Sequence, residues 1–472
     1  MRRQASIIAG KRHETGRFDT ITSPYDGQPV AEVLLSTPED VDVALSAAHA
    51  ARRATEKTPA HARALVCERV AARLREQVDT LARVISEESG KPIRYARAEV
   101  ERAATTFTLA AGVARTLGGE VLPADITPRG EGRLLIYRRV PRGVIGAISP
   151  FNFPLNLAAH KLAPALAVGA PIVLKPPHQA PSAALLLAEM LCELGMPAGS
   201  LSALHARPEV AELLARDPRV AVLSFTGSDR VGFHLKSLDP KKHVLLELGG
   251  NAPVIVDEGT PLERLIPGLV EACFASAGQV CIKAQRLFVH ERCFEEFRER
   301  FVTATRALVT GDPLAEATVV GPLIEARHVT RVLGLVRDAE AAGASVLCGG
   351  QAAGQVVEPT VLVGAAPELA VCREEVFGPV ATLEPFARFE DAISRANASR
   401  FGLQASVYTE NVGRALAAFD DLEYGGVLIN EPPTMRLDNY PYGGTKDSGS
   451  GREGVRFTAE EYSETRVLLL AR

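Results

Sequence analysis

From Val140 onward, short apolar runs alternate with segments of helical periodicity, and that alternation leaves few ways for the chain to fold. The runs at 144–148, 172–174 and 220–225 are separated by helical patterns such as 182–194 and 209–215. Short strands that alternate with helices form parallel βαβ units, and nucleotides bind such sheets beyond the strand ends. A second α/β region begins near Gly249 and extends to about Asn430. The expected fold class is therefore α/β.

Ahead of these units, the chain reads as helices following a short strand region. Thr37 is placed to cap a helix that has Pro38 at its first position and Asp40 in its first turn. The pattern over 61–89 predicts one long amphipathic helix stopped by Gly90, and 93–117 predicts another. Between Gly118 and Val140 the period changes, and Leu134, Ile136 and Tyr137 sit in a strand-like stretch expected to protrude as a hairpin. The tail at 462–470 is strand-like and apolar, so it is expected to pair with something. A chain of 472 residues exceeds one ordinary core and implies two to three domains. With no repeat or low-complexity linker, the domains are expected to interleave.

Composition excludes several functions. A formal net charge of −4 provides no basic field for nucleic acid. The longest apolar candidate for a membrane span, 155–174, is broken by His160, Lys161, Pro164 and Pro171. The apolar stretch at 5–9 is too short for a secretory signal, so a cytoplasmic location is expected. The 7 cysteines form no C-x-x-C pair and fit neither a disulfide framework nor a zinc site. No metal site is expected, and most of these thiols should be buried small hydrophobes.

The one G-x-G-x-x-G, Gly449 to Gly454, follows Pro441-Tyr442-Gly443-Gly444 rather than a strand, and the chain ends before any acidic partner twenty residues on. It does not read as a dinucleotide fingerprint. Ser224-Phe225-Thr226-Gly227-Ser228 is a better phosphate site, because it joins a strand to a helix whose N-terminal N–H groups suit an anion; an ordinary strand-to-helix turn is the alternative. Cys281 lies in a Gly-containing loop, Gly278-Gln279-Val280-Cys281, and by itself could be structural. Glu247 ends the run Val244-Leu245-Leu246, where a buried carboxylate must be ion-paired or protonated. Asn152 lies between Pro150 and Pro154 as a turn or site residue, and Lys175 ends 172–174 as a snorkelling or ligand-facing side chain.

Taken together and in order, the segments 150–154, 174–177, 225–228, 247–251, 278–281, 374–379, 397–403 and 441–454 resemble the aldehyde dehydrogenase superfamily over nearly the whole chain. The resemblance implies a Rossmann-type cofactor domain (1–117 and 141–248), an α/β catalytic domain (249–440) and a β-arm for oligomerisation (118–140 and 456–472). It makes Cys281 the nucleophile, Asn152 an oxyanion donor and Glu247 the base that activates water. It places Lys175 and His178 at the adenosine ribose, Gly227 and Ser228 at the pyrophosphate, and Glu375 and Phe377 at the nicotinamide end. NAD or NADP is the implied cofactor. Many members have Ser-Glu after Lys-Pro, where this chain has Pro177-His178; without that carboxylate a 2′-phosphate is not repelled, so NADP use is expected.

The positions that match the family's substrate tunnel are Phe153, Asn156, Leu157 and His160, with Val280 and Ile282 beside the thiol. Asn156 and His160 either face the substrate or bond locally to neighbouring backbone. Arg436 either anchors a carboxylate or phosphate, or pairs with Asp438 or another carboxylate. The motifs most resemble the lactaldehyde dehydrogenase branch, and the chain has no Trp for an aromatic box. Phosphonoacetaldehyde dehydrogenases carry His and Arg where this chain has Phe153 and Val280. The expected substrate is a small polar aldehyde of the lactaldehyde, glycolaldehyde or short semialdehyde type. The alternatives are a phosphonoacetaldehyde or succinate-semialdehyde enzyme, a CoA-acylating enzyme (disfavoured by Glu247) and a non-catalytic, crystallin-like protein. A homodimer or homotetramer is expected.

Overall fold

A computed structural model describes residues 1–471, the side chain of Ala211 excepted. Arg472, the last residue of the expected arm, lies outside the described residues. Two large sheets dominate. In the first, the strands His243–Glu247, Val220–Thr226, Val144–Ile148, Ile172–Lys175 and Leu201–Ala203 lie side by side in that order and all parallel. Gly449–Ser450 closes one edge antiparallel to His243–Glu247, and Ser6–Ile8 with Lys11–His13 closes the other.

The strand order reverses at Val144–Ile148, whose neighbours are Val220–Thr226 on one side and Ile172–Lys175 on the other. A crevice opens at such a reversal because successive helices leave to opposite faces. The expected runs at 172–174 and 220–225 each gain one residue in the observed strands.

The second sheet has Thr360–Val363, Val380–Phe386, Ala284–His290, Ala252–Val256, Gln404–Tyr408 and Gly426–Ile429 in parallel, with Ser345–Cys348 antiparallel at one edge. The tail strand Ser463–Ala471 pairs along its whole length with Arg133–Pro141, which also pairs with Gly119–Leu122. Thus the hairpin and the tail find each other within one chain. Val467, Leu468, Leu469 and Leu470 remain exposed on that sheet. Among the described residues, no helix is long and apolar enough to cross a membrane.

The first sheet packs against the helices Ala60–Glu76, Ile93–Thr116 and Asn156–Val168 in one continuous core, with Phe107 fully buried. The single helix expected over 61–89 is two, Ala60–Glu76 and Val78–Ser89, broken at Gln77 with φ −114° and ψ 21°. The buried positions Ala64, Cys67, Ala71, Leu74, Leu81, Ile85 and Glu88 keep helical spacing across the break, and neither Gly nor Pro marks it. Tertiary packing, not local signal, ends the first helix. Gly90 stops the second with φ +72°.

Thr37 forms a full capping box: its side chain accepts from the Asp40 N–H, and Asp40 accepts from the Thr37 N–H. Thr37→Ala is expected to lower stability by roughly 1 kcal/mol, with Thr37→Ser recovering most of it, read from urea unfolding midpoints.

Candidate active site

Cys281 is presented by a backbone that few residues tolerate. After the helix Leu262–Phe274, Ser276, Ala277 and Gly278 take φ values of +53°, +56° and +65°. Left-handed φ costs a residue with a Cβ on the order of 1–3 kcal/mol, so surrounding contacts must hold the loop in place. At Gly278 a Cβ would lie 2.3 Å from the Gly378 carbonyl oxygen, which leaves no room for any side chain. Asn152 Nδ2 donates to the Gln279 carbonyl at 3.0 Å, while Gln279 Oε1 accepts from the Ile324 N–H at 3.0 Å. The loop is thereby tied to the carboxyl end of Val144–Ile148 and to the second sheet's unit at once.

The thiol of Cys281 is half-buried and lies 3.3 Å from the Tyr442 hydroxyl. Burial pushes it up to about 11, and the bond to Tyr442 is the strongest influence in the opposite direction. The Arg436 guanidinium lies 3.7 Å over the Tyr442 ring.

Glu247 ends its strand fully enclosed, and neither carboxylate oxygen has a hydrogen-bond partner among the described residues. Burial, and next the neighbouring charge of Glu453, hold its carboxyl well above the ordinary range against the pull of Arg436, Lys161 and Arg452. Glu453 is buried as deeply but is paired. Arg436 Nη2 donates to its Oε2 at 2.9 Å, and Lys161 Nζ lies 3.8 Å from Oε1. Burial pushes Glu453 up, but the charges of His160, Arg436 and Lys161 outweigh that and hold it low.

One cavity of about 720 Å³ at the crevice contains all three expected catalytic residues, Asn152, Glu247 and Cys281. Its wall also includes the six residues expected at a cofactor: Lys175, His178, Gly227, Ser228, Glu375 and Phe377. A dinucleotide fits this volume. The Ser228 side chain makes no capping bond to the helix Asp229–Ser237, which leaves that helix's first-turn N–H groups open to an anion. Gly232 lets the same helix sit close on Leu248, whose Cδ2 would lie 2.5 Å from a Cβ at that position. Glu375 Oε1 accepts from the Gly250 N–H at 3.0 Å, and burial pushes this carboxyl up to about 7. Phe377 takes φ +42° and meets Phe151 edge-on at 6.0 Å. Lys175 is pushed down to about 8 by burial.

Of the expected substrate positions, Leu157 lines this cavity, whereas Phe153, Asn156, His160, Val280, Ile282 and Arg436 lie outside its lining. Phe153 sits under Lys91, whose Nζ is 3.6 Å from the ring centroid. Asn156 and His160 belong to a helix buried along its whole length, and both bond to side chains of distant segments rather than to neighbouring backbone. Asn156 Oδ1 accepts from the Thr106 hydroxyl at 3.3 Å, and its N–H donates to Glu99 Oε1 at 3.0 Å. His160 Nε2 lies 3.1 Å from Asp438 Oδ1. Val280 packs with Cys281, Tyr440 and Tyr442. Arg436 is turned inward to Glu453 and Asp438, so of its two sequence readings the ion pair is the one seen.

The sequence reading missed Glu453, Lys161 and Tyr442. Glu453 was concealed inside the G-x-G-x-x-G, whose real use is strand approach: a Cβ on Gly449 would lie 2.1 Å from the Leu246 carbonyl oxygen. Lys161 did carry a signal, a lone ammonium within an apolar helical run.

Iodoacetamide should alkylate Cys281 roughly tenfold faster per pH unit between neutral pH and about 10, because thiolate fraction rises below a thiol held near 11. Tyr442→Phe removes the hydrogen bond that favours the thiolate, and is expected to slow alkylation at pH 9 roughly tenfold.

Comparisons with known proteins agree with this geometry. The model of the aldehyde dehydrogenase family matches residues 11–468. The 3-sulfolactaldehyde dehydrogenase of Priestia aryabhattai is 37% identical over 464 residues, covering 98% of this chain and 97% of that protein. A lactaldehyde dehydrogenase of Methanococcus maripaludis is 34% identical over 472 residues, covering 98% and 99%. Aldehyde dehydrogenase 21 of Physcomitrella patens, solved in complex with the reaction product succinate, is similar with a TM-score of 0.98 at 40% identity, covering 100% of this chain and 98% of that one. With the Cys281 loop, the Asn152 amide and the buried Glu247 carboxyl meeting in one crevice, and near-full-length similarity to these proteins, the chain belongs to the aldehyde dehydrogenase family.

Proposed function

We propose that this protein oxidises a small polar aldehyde to its carboxylate, with NAD or NADP accepting the hydride and Cys281 as the nucleophile. The observation that carries the reading is the convergence of the Cys281 thiol, the Asn152 amide and the unpartnered Glu247 carboxyl on one cavity. Cys281 passes its proton to water in the cavity and its sulfur adds to the aldehyde carbon, while the carbonyl electron pair moves onto oxygen. The Asn152 N–H not committed to Gln279, together with the Cys281 backbone N–H, donates to that oxyanion. One such donor is worth roughly 3–4 kcal/mol of barrier.

The nicotinamide cofactor, when bound, supplies the hydride acceptor. Lys175 holds the adenosine ribose, Ser228 the pyrophosphate, and Glu375 with Phe377 the nicotinamide end. The resulting thioester is hydrolysed by water whose proton Glu247 takes. Glu247 acts in its ionised form, in which the raised proton affinity makes it a stronger base than an exposed carboxylate. His178, in the cavity wall beside Lys175, leaves a 2′-phosphate unopposed, which favours NADP. Arg436 acts as a positioning residue that holds Tyr442 beside the thiol.

The similarity to sulfolactaldehyde and lactaldehyde dehydrogenases, and to an enzyme solved with succinate, supports a short polar substrate. The cofactor domain comprises 1–117 and 141–248, the catalytic domain 249–440 and the arm 118–140 with 456–472. The exposed apolar strip 467–470 on that arm supports a homodimer or homotetramer.

Initial rates over an aldehyde panel with both cofactors test the reading. Every C2–C4 polar aldehyde losing to benzaldehyde or hexanal in kcat/KM would refute the substrate class. Glu247→Gln should retain a pre-steady-state burst of reduced cofactor while steady turnover falls about 10²–10⁴-fold; loss of burst and turnover together would remove it from deacylation. His178→Glu is expected to raise KM for NADP roughly tenfold with little change for NAD, and detectable turnover with NAD alone would refute the NADP assignment.

A further inference from the structure

Two histidines sit at the carboxyl ends of neighbouring parallel strands. His178 follows Ile172–Lys175, and His205 follows Leu201–Ala203. Their rings are parallel within 2°, with centroids 5.1 Å apart. Asp19 approaches them from the N-terminal strand Phe18–Thr22. The three residues are far apart in sequence, so no motif spacing announces them.

We propose that Asp19, His178 and His205 form a binding site for a divalent transition cation of the zinc class. One ligand atom from each residue lies within 4.8 Å of the other two. His205 is 0% exposed, and neither of its ring nitrogens has a hydrogen-bond partner among the described residues. Asp19 Oδ2 and His178 Nδ1 are likewise buried and unpartnered, and His205 Nε2 lies 3.6 Å from Asp19 Oδ2. An imidazole sealed from water with both nitrogens unsatisfied is costly, and a ligand shared by the three residues satisfies one of the two.

The donor set selects the ligand. Two imidazoles and one carboxylate are a three-residue zinc set that leaves a fourth position for water, whereas Mg²⁺ and Ca²⁺ require mostly oxygen. Zinc bonds of about 2.0–2.2 Å bring tetrahedral donors to about 3.4 Å apart, so the side chains must close by roughly 1 Å. Lys175 and Arg207 oppose a cation, but Arg207 faces the other carboxylate oxygen, Oδ1, at 3.7 Å and is half exposed. An anion in the same place would meet the Asp19 carboxylate. His178 is shared with the wall of the proposed cofactor cavity, whereas Asp19 and His205 lie outside it.

Cobalt titration of the full-length protein, stripped with EDTA and desalted, tests this site. The expected result is one Co²⁺ per chain with d–d bands, no sulfur-to-cobalt charge transfer, and displacement by Zn²⁺. Asp19→Asn and His205→Ala should each weaken binding at least tenfold, and Cys281→Ser should leave it unchanged. Failure to take up one equivalent, equal affinity in Asp19→Asn, or loss of binding in Cys281→Ser would overturn the proposal. If His205→Ala does not fold, Asp19→Asn and His178→Asn decide it.

Discussion

The candidate site depends on one electrostatic imbalance at the cavity wall: two buried carboxyls, of which only one is paired. Glu453 has Arg436 and Lys161 around it and stays ionised, whereas Glu247 has no partner and is driven toward its neutral form. Burying an ion costs several kcal/mol even after relaxation, so a second unpaired charge next to Glu453 is strongly disfavoured. Burial comes first in raising the proton affinity of Glu247, and the charge kept on Glu453 by its pairing raises it further. The same logic separates the roles of two carboxyls wherever one must stay charged and the other must exchange a proton.

That imbalance exists because the helix Asn156–Val168 is buried along its full length. Its polar side chains have no route to water, so each must find an internal partner. Lys161 donates to Ser224 and Thr226 at 3.0 and 2.8 Å, tying the helix to the strand that leads into the phosphate turn. His160 reaches Asp438, which also accepts from Arg102 Nη2 at 2.8 Å. One ammonium thus links the helix, the sheet and the proton affinity of Glu247, so packing and chemistry cannot be altered independently here.

The parallel units, the cap at Thr37, the stop at Gly90 and the hairpin at 118–140 were legible because each rests on local chemistry: periodicity, a side-chain oxygen, or a positive φ. Cys281, Asn152 and Glu247 were legible only through their order and company. The break at Gln77 was invisible because buried spacing runs through it. Glu453 and Tyr442 were hidden for another reason. Their importance comes from pairings across hundreds of residues, such as Lys161 with Glu453, and no window of sequence contains both partners.

Glycine shows the same division between what a sequence states and what it implies. Gly249 and Gly250 look like a flexible turn, yet here they serve close approach. A Cβ on Gly249 would lie 2.6 Å from Glu375 Oε2, and one on Gly250 would lie 2.3 Å from the Cys281 carbonyl oxygen. The chain passing from the first sheet to the second is thereby pressed between Glu375 and the Cys281 loop. Any side chain there would move the thiol relative to the cavity wall. In the proposed reaction, where hydride transfer and hydrolysis both need Cys281 placed to a fraction of an ångström, the absence of two Cβ atoms sets the geometry as firmly as the charged groups set the proton affinities.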